Sequence, residues 1–102
     1  MNRNKALSML GMATRAGKTV SGEFAVEKSV KQKTARLVLL AEDASDNTKK
    51  KFSDMCSYRK IPYLLFADRE TLGRAIGKEF RACVAVEDDN LAKVISGHIT
   101  EQ

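Results

Sequence analysis

Residues 35–48 read Ala-Arg-Leu-Val-Leu-Leu-Ala-Glu-Asp-Ala-Ser-Asp-Asn-Thr. Within them, Leu37 to Ala41 is an unbroken apolar run, too short for a free-standing helix and bounded by charge at both ends. It predicts a strand covered on both faces in the middle of a sheet. The run meets Glu42 and Asp43 and then Ser45, Asp46, Asn47 and Thr48, where a capping side chain can accept from the first free amides of a following helix. The order is strand, polar turn, capped helix. Ligands of α/β sheets collect at the carboxyl ends of strands, so the turn at Glu42 to Asn47 marks the edge where a site is expected.

Upstream of that stretch, Asn4 to Arg15 carries Ala6, Leu7, Met9, Leu10 and Ala13 on one broad helical face, and Gly17 stands where a helix end places a left-handed residue. Lys18-Thr19-Val20 has room only for a brief edge strand. Ser21-Gly22-Glu23 then offers a cap and a first-turn acid to a second helix that runs to about Lys33. Its core stripe is Gly22, Val26, Ser29 and Val30, which leaves Phe24, Lys28 and Lys31 on the opposite face. Downstream, a third helix spans about Asp46 to Tyr58 with Phe52, Met55 and Cys56 inward, and Pro62 marks its limit. Tyr63 to Phe66 is a second apolar strand. Asp68 caps a short fourth helix with Leu72, Ala75 and Ile76 inward, where Gly73 and Gly77 permit a neighbour to approach closely. Ala82 to Val86 is a third apolar strand, and a last helix from about Asp89 turns Leu91, Val94, Ile95, His98 and Ile99 inward. Strands alternating with helices, and strands without polar alternation, argue for an α/β sheet between two helical layers.

With 102 residues, no internal repeat and no low-complexity linker, residues 1–102 are expected to form one domain around one core. Cys56 and Cys83 lie far apart and His98 is the single histidine, a usage that suggests neither a disulfide framework nor a zinc site and fits a reducing cytosol. No apolar segment approaches the ~20 residues needed to span a bilayer. The start, Met1 to Lys5, leads into a helix pattern with no secretory cleavage signal, so the expected location is cytoplasmic, with no membrane partner. A net charge of +5 and a pI near 9.4 favour a polyanionic partner.

Several constellations resemble catalytic motifs and fail on spacing. Arg15-Ala16-Gly17-Lys18-Thr19 looks like the end of a phosphate-binding loop, but five residues separate Gly11 from Gly17 where that motif requires four, and a helix precedes it instead of a strand. Gly17 is better read as a helix stop. Glu42-Asp43 could hold magnesium only with a second acid cluster, and the other strand ends offer Asp68 and Glu87 to Asp89 alone. The simpler role for these acids is to sit beside a helix amino terminus. His98 has no assignable nucleophile, the cysteines are core-type residues, and Lys49-Lys50-Lys51 is a solvated helix face. Phe24 is different. An aromatic turned from the core, beside Lys28, Lys31 and a helix amino terminus, offers a stacking surface with cations. The alternative is that its ring packs under a loop or against the first helix.

The segments Ser21 to Lys28, Ala35 to Asn47 and Leu72 to Gly77 resemble the kink-turn RNA-binding ribosomal proteins of the L7Ae and L30e type, and the likeness covers nearly the whole chain. It implies a three-layer α-β-α sandwich with a four-stranded mixed sheet and RNA held at the start of the second helix and adjoining loops. That family's motif is Gly-x-Asn-Glu-x-x-Lys or Gly-x-Lys-Gln-x-x-Lys, whose polar pair reads tandem sheared G·A pairs. Here Gly22 and Lys28 match, while Phe24 and Ala25 replace the polar pair. Arg36 stands at the family's basic position before the central strand, Glu42 at its acid after it, and Ala67, Asp68, Arg69, Glu70 and Thr71 at the loop that covers bulged nucleotides. The resemblance therefore implies a non-enzymatic, monomeric binder of structured ribosomal or messenger RNA, with the kink-turn and the ribosome among its partners and no cofactor. Its site would be Gly22, Glu23, Phe24, Lys28, Arg36, Glu42 and the 67–71 loop, with Lys18 and Lys31 as further phosphate contacts. A phenylalanine can stack on a guanine but cannot pair with its edge. The rival from another class is a protein-interaction adaptor that uses Phe24 as an apolar anchor; a metal-dependent enzyme would require turnover that depends on Glu42 or Asp43.

Overall fold

The computed structural model of the protein describes residues 1–100. In chain order it forms α1 (Arg3–Arg15), β1 (Thr19–Ser21), α2 (Glu23–Lys31), β2 (Leu37–Leu40), α3 (Asp46–Arg59), β3 (Tyr63–Leu65), α4 (Arg69–Ala75), β4 (Cys83–Val86) and α5 (Asp89–Thr100). The strands lie in the order β1-β4-β2-β3. Pairing is antiparallel across β1·β4 and β4·β2 and parallel across β2·β3, so the sheet is mixed.

The 37–40 run is an inner strand because all four residues are apolar and both faces can be covered. Leu37 and Leu39 enter a core with Leu10, Leu72 and Ile95, from α1, α4 and α5. Val38 and Leu40 enter a second core with Val26, Val30, Phe52 and Cys56, from α2 and α3. β4 divides in the same way, with Val84 and Val86 on the first side and Cys83 and Ala85 on the second. The result is the expected three-layer sandwich. Burial raises the Cys56 thiol to about 11 and the Cys83 thiol to about 12, so both remain protonated apolar fillers.

Helix ends explain the connections. Gly17 takes φ 73°, with its N–H donating to the Thr14 carbonyl and the Lys18 N–H to the Ala13 carbonyl, at 3.0 and 2.9 Å. That is the paired bonding of a Schellman stop. α2 and α3 end in the same way, but lysines, Lys33 (φ 61°) and Lys60 (φ 57°), occupy the left-handed position. Glycine is the ordinary occupant there.

Four expectations are corrected. Ser21 does not cap α2: Gly22 is the N-cap without a side-chain bond, and the Ser21 hydroxyl accepts from Arg81 Nε at 3.1 Å. β3 is not covered on both faces, since Tyr63 and Leu65 are 38% and 50% exposed. As the outer strand it lies beyond Phe52 and Cys56, which seat over β2. On α5 the buried stripe is Ala92, Ile95 and Ile99, and Val94 points to solvent at the margin of a wide apolar band. Of the glycine pair, Gly73 lies against the Glu79 carbonyl, where an added Cβ would collide, while Gly77 serves a left-handed turn (φ 76°) with open space around it.

Candidate functional site

Ser21 pairs with Val84, and Leu40 pairs with both Cys83 and Leu65. Hence β1, β2 and β3 all finish, and β4 begins, along one edge of the sheet. Each of those three strands leads within at most five residues into a helix, so α2, α3 and α4 all begin at this edge with their amino termini and positive dipole ends. This is the edge that the turn after Ala41 marked.

Gly22 organises its centre. Its φ of 88° and ψ of 155° fall in a region essentially restricted to glycine, and its N–H donates to the Cys83 carbonyl at 3.1 Å. Since Gly22 has no side chain, no side-chain oxygen caps α2, and the first amide bonded within the helix is Val26 N–H, to the Gly22 carbonyl at 3.0 Å. Phe24 follows at 86% exposure, which removes the alternative that its ring is packed. Lys28 is exposed one turn further along the same face. Glu23 is exposed, and its carboxylate accepts from the Thr48 hydroxyl at 3.5 Å, which links the starts of α2 and α3. Ser45 completes that junction by accepting the Thr48 N–H at 3.1 Å, the cap expected from sequence.

Of the acids after β2, Asp43 serves α4 instead of α3. Glu42 is exposed, and its N–H donates to the Ala67 carbonyl at 2.7 Å; the Asp43 carboxylate accepts the Arg69 N–H at 2.9 Å and stands 3.5 Å from Arg69 Nε. The 67–71 segment is accordingly not a loop. Ala67 is a buried left-handed bend (φ 62°), Asp68 caps α4 by accepting the Thr71 N–H at 2.7 Å, and Arg69, Glu70 and Thr71 form the first turn. The bond from Thr71 holds the Asp68 carboxyl below its ordinary range. Among the described residues, no three His, Cys, Asp or Glu gather to hold a metal ion.

Two residues of this edge were missed in the sequence. Phe80, 61% exposed, lies late in the α4–β4 connection, and Arg81 donates from Nε to Ser21 and from its terminal nitrogen to the Phe80 carbonyl at 2.8 Å. The available signal was an aromatic–arginine pair following a polar Gly77-Lys78-Glu79 turn, directly before an apolar strand.

Three expected residues lie elsewhere. The Lys18 carbonyl accepts the Glu87 N–H at 2.8 Å, and the Arg36 N–H donates to the Val86 carbonyl at 2.8 Å, both at the opposite edge. The Arg36 guanidinium pairs with Asp89 at 3.4 Å. Lys31, in the last turn of α2, is tied to Glu27 at 3.2 Å. Glu87, considered as part of an acid cluster, also lies there and accepts from Ser29 and Thr34 at 2.6 and 3.0 Å.

The chain is similar to proteins of known family. Residues 4–96 match the model of the ribosomal protein L7Ae/L30e/S12e/Gadd45 family. The protein named RNA-binding protein YlxQ of Bacillus subtilis (strain 168) is 54% identical over 89 residues, covering 86% of this chain and 89% of that one. Large ribosomal subunit protein eL8 of Thermoplasma volcanium is 31% identical over 85 residues, covering 82% and 70%. Among solved structures, a Bacillus halodurans protein described as having unknown function superposes with a TM-score of 0.92 at 40% identity, covering 95% of this chain and 98% of that one. The Giardia lamblia 15.5kD RNA binding protein shares the fold at a TM-score of 0.77 and 22% identity, covering 91% and 80%. By its match over nearly all of its length, the chain belongs to the ribosomal protein L7Ae/L30e/S12e/Gadd45 family.

Proposed function

We propose that the protein is a monomeric, cytoplasmic, non-enzymatic RNA-binding protein that grips structured ribosomal or messenger RNA at the α2 edge, with at most a modest preference for kink-turns. The observation that carries this reading is the exposed Phe24 ring, set directly after the uncapped Gly22 and one turn before Lys28. Open amides at a helix start donate to phosphate oxygens. An exposed ring stacks on an unpaired base, worth about 1 to 3 kcal/mol per base, and accepts any base because each has a π-face. Phe80 would add a second ring on the same edge. Glu23, Glu42 and the start of α4, Ala67 to Thr71, would frame the contact, and Lys28 would neutralise backbone charge. The names of relatives, RNA-binding protein and large ribosomal subunit protein, support RNA and the ribosome as partners.

Kink-turn specificity is where the chain departs from its family's motif. An Asn-Glu or Lys-Gln pair places donors and acceptors at guanine edges, whereas Ala25 supplies none and Phe24 only a stacking face. Good bidentate base contacts are worth about 1 to 3 kcal/mol of discrimination, so their loss lowers specificity about tenfold or more. The test titrates wild type and the double variant Phe24→Asn, Ala25→Glu with a kink-turn RNA and with a version whose G·A pairs are made Watson–Crick. A small wild-type preference that widens in the double variant is expected. A large wild-type preference would mean that other residues read those pairs. The adaptor reading also draws on the exposed Phe24, but it expects binding to a protein with little salt dependence, and RNA titrations showing no affinity would favour it.

A further inference from the structure

The sheet edge opposite the α2 edge opens into a groove of about 770 Å³ that rises along α5 from the ends of α2 and α3. Among the described residues its lining includes Lys33, Arg36, Arg59, Lys60 and Lys93, with Asp89 as the one carboxylate. Among the described residues that carboxylate is already paired with Arg36. At the α2 edge, by comparison, Arg69 is tied to Asp43. The described lining thus carries five cations against one carboxylate. Two of its cations, Lys33 and Lys60, are the residues that hold left-handed helix stops where glycine would be unstrained. At both helix ends a charge stands at the groove in place of the residue that best suits the backbone.

We propose that this groove is a second RNA-binding surface, which holds the phosphate backbone of a segment separate from the one engaged at the α2 edge, so that one molecule ties two RNA segments together. The proposal rests on the reading above only in taking RNA as the polyanion. Among the described residues the lining contains no aromatic, and its apolar part is made of short or aliphatic groups such as Ala35, Leu37 and Ile61. A cationic rim suits the sequence-independent phosphate contacts that position RNA. β2 and β4 run from one edge to the other of a molecule 26 to 28 Å across, so the two surfaces face different ways. An RNA bound at one edge leaves the other free for a second segment, which then binds at raised effective concentration.

The experiment immobilises a stem–internal-loop–stem RNA, captures the protein on it, and measures retention of a fluorescent 12-nucleotide oligouridylate. The groove variant is Lys33→Gly, Lys60→Gly, Lys93→Gln, in which glycine keeps the left-handed helix ends and circular dichroism verifies folding. The edge variant is Phe24→Ala, Lys28→Ala. Wild type should retain the oligonucleotide, while the groove variant should be captured normally and retain none. The edge variant should be captured much more weakly than wild type yet bind oligouridylate in solution as wild type does. Three lost phosphate contacts on a single strand reduce the salt slope by about 2, so raising salt from about 50 to 200 mM should weaken wild type about fifteen- to twentyfold more than the groove variant. Capture of wild type without retention, or retention by the groove variant at the wild-type level, would overturn the second surface and leave the α2-edge reading intact. Tighter binding of a decaglutamate peptide than of oligouridylate, lost in the groove variant, would make the groove a dock for acidic peptides and also overturn it. Wild type that binds neither RNA would defeat both readings together.

Discussion

Gly22 and Gly17 form a matched pair for testing what holds the start of α2. Both have positive φ, 88° and 73°, and at neither would an added Cβ meet any atom within 4 Å. Replacing either by alanine therefore changes backbone dihedral energy without creating a clash. At Gly17 the left-handed conformation costs an alanine about 1 to 2 kcal/mol. About 0.4 to 1 kcal/mol of that is offset because alanine has fewer unfolded conformers than glycine, leaving a loss of roughly 1 kcal/mol. At Gly22 the ψ of 155° makes the strain heavier, at the upper end of the ~1 to 3 kcal/mol range for such sites, so the net loss is roughly 2 kcal/mol. In a domain of this size each kcal/mol moves Tm by about 4 to 8 °C. Urea unfolding followed by circular dichroism should rank the proteins wild type, Gly17→Ala, Gly22→Ala, with unchanged m-values. RNA titration separates them further: Gly17→Ala should bind as wild type does, and Gly22→Ala should lose affinity where it is still fully folded, because relieving the strain re-aims the first turn of α2. If Gly22→Ala costs no more stability than Gly17→Ala and binds RNA normally, the restricted conformation at Gly22 is neither strained nor needed, and the reasoning about this edge is wrong.

Lys28→Ala should weaken RNA binding across sequences and flatten the salt dependence by about 0.7 to 0.9 of a unit, and an unchanged slope would take this face out of the interface. Val38→Ala or Leu39→Ala, fully buried on opposite faces of β2, should each cost about 2 to 4 kcal/mol in chemical denaturation; losses below about 1 kcal/mol for both would contradict a doubly covered strand. Asp68 has a folded-state pKa below its unfolded value, so its contribution is present at neutral pH and is lost as pH falls through the folded value, below the ~3.9 of a free aspartate. The stability gap between wild type and Asp68→Ala should accordingly shrink on acidification, and a gap that stays constant from neutral pH to about pH 2 would count against the cap.

The fold was legible where a residue's local chemistry settles its place. The 37–40 run reads as a covered strand, the cap expected within Ser45 to Thr48 is Ser45, Asp68 caps the helix it was assigned, and Gly17 stops the helix before it. What escaped was burial at the margins. Tyr63 and Leu65 read as core because an apolar run does not record that its strand is outermost, and Val94 because periodicity does not say how much of a wide apolar band is covered. The site split for a geometric reason. Lys18 lies four positions before Gly22 in the sequence, but a strand advances about 3.3 Å per residue, so β1 places them roughly 13 Å apart at opposite edges. β2 does the same to Arg36 and Glu42. Phe80 and Arg81 carry no such signal because a seven-residue connection gives no periodicity to read, and only the sheet order brings its end beside Ser21.

The order β1-β4-β2-β3 also governs how the chain can assemble as it leaves the ribosome. β1 has no strand partner except β4, which appears some sixty residues later, since Ser21 pairs with Val84. Until then β2 has only β3 beside it, and its other edge, Leu-Val-Leu-Leu, stands unbonded. An open apolar edge of that kind is a template for pairing with another chain. Synthesis therefore passes through a long interval in which the nascent protein holds helices and half a sheet but no closed core, and arrival of Cys83 to Val86 completes both strand pairings of β4 at once. A chain stopped before that point would be a sticky fragment instead of a smaller domain.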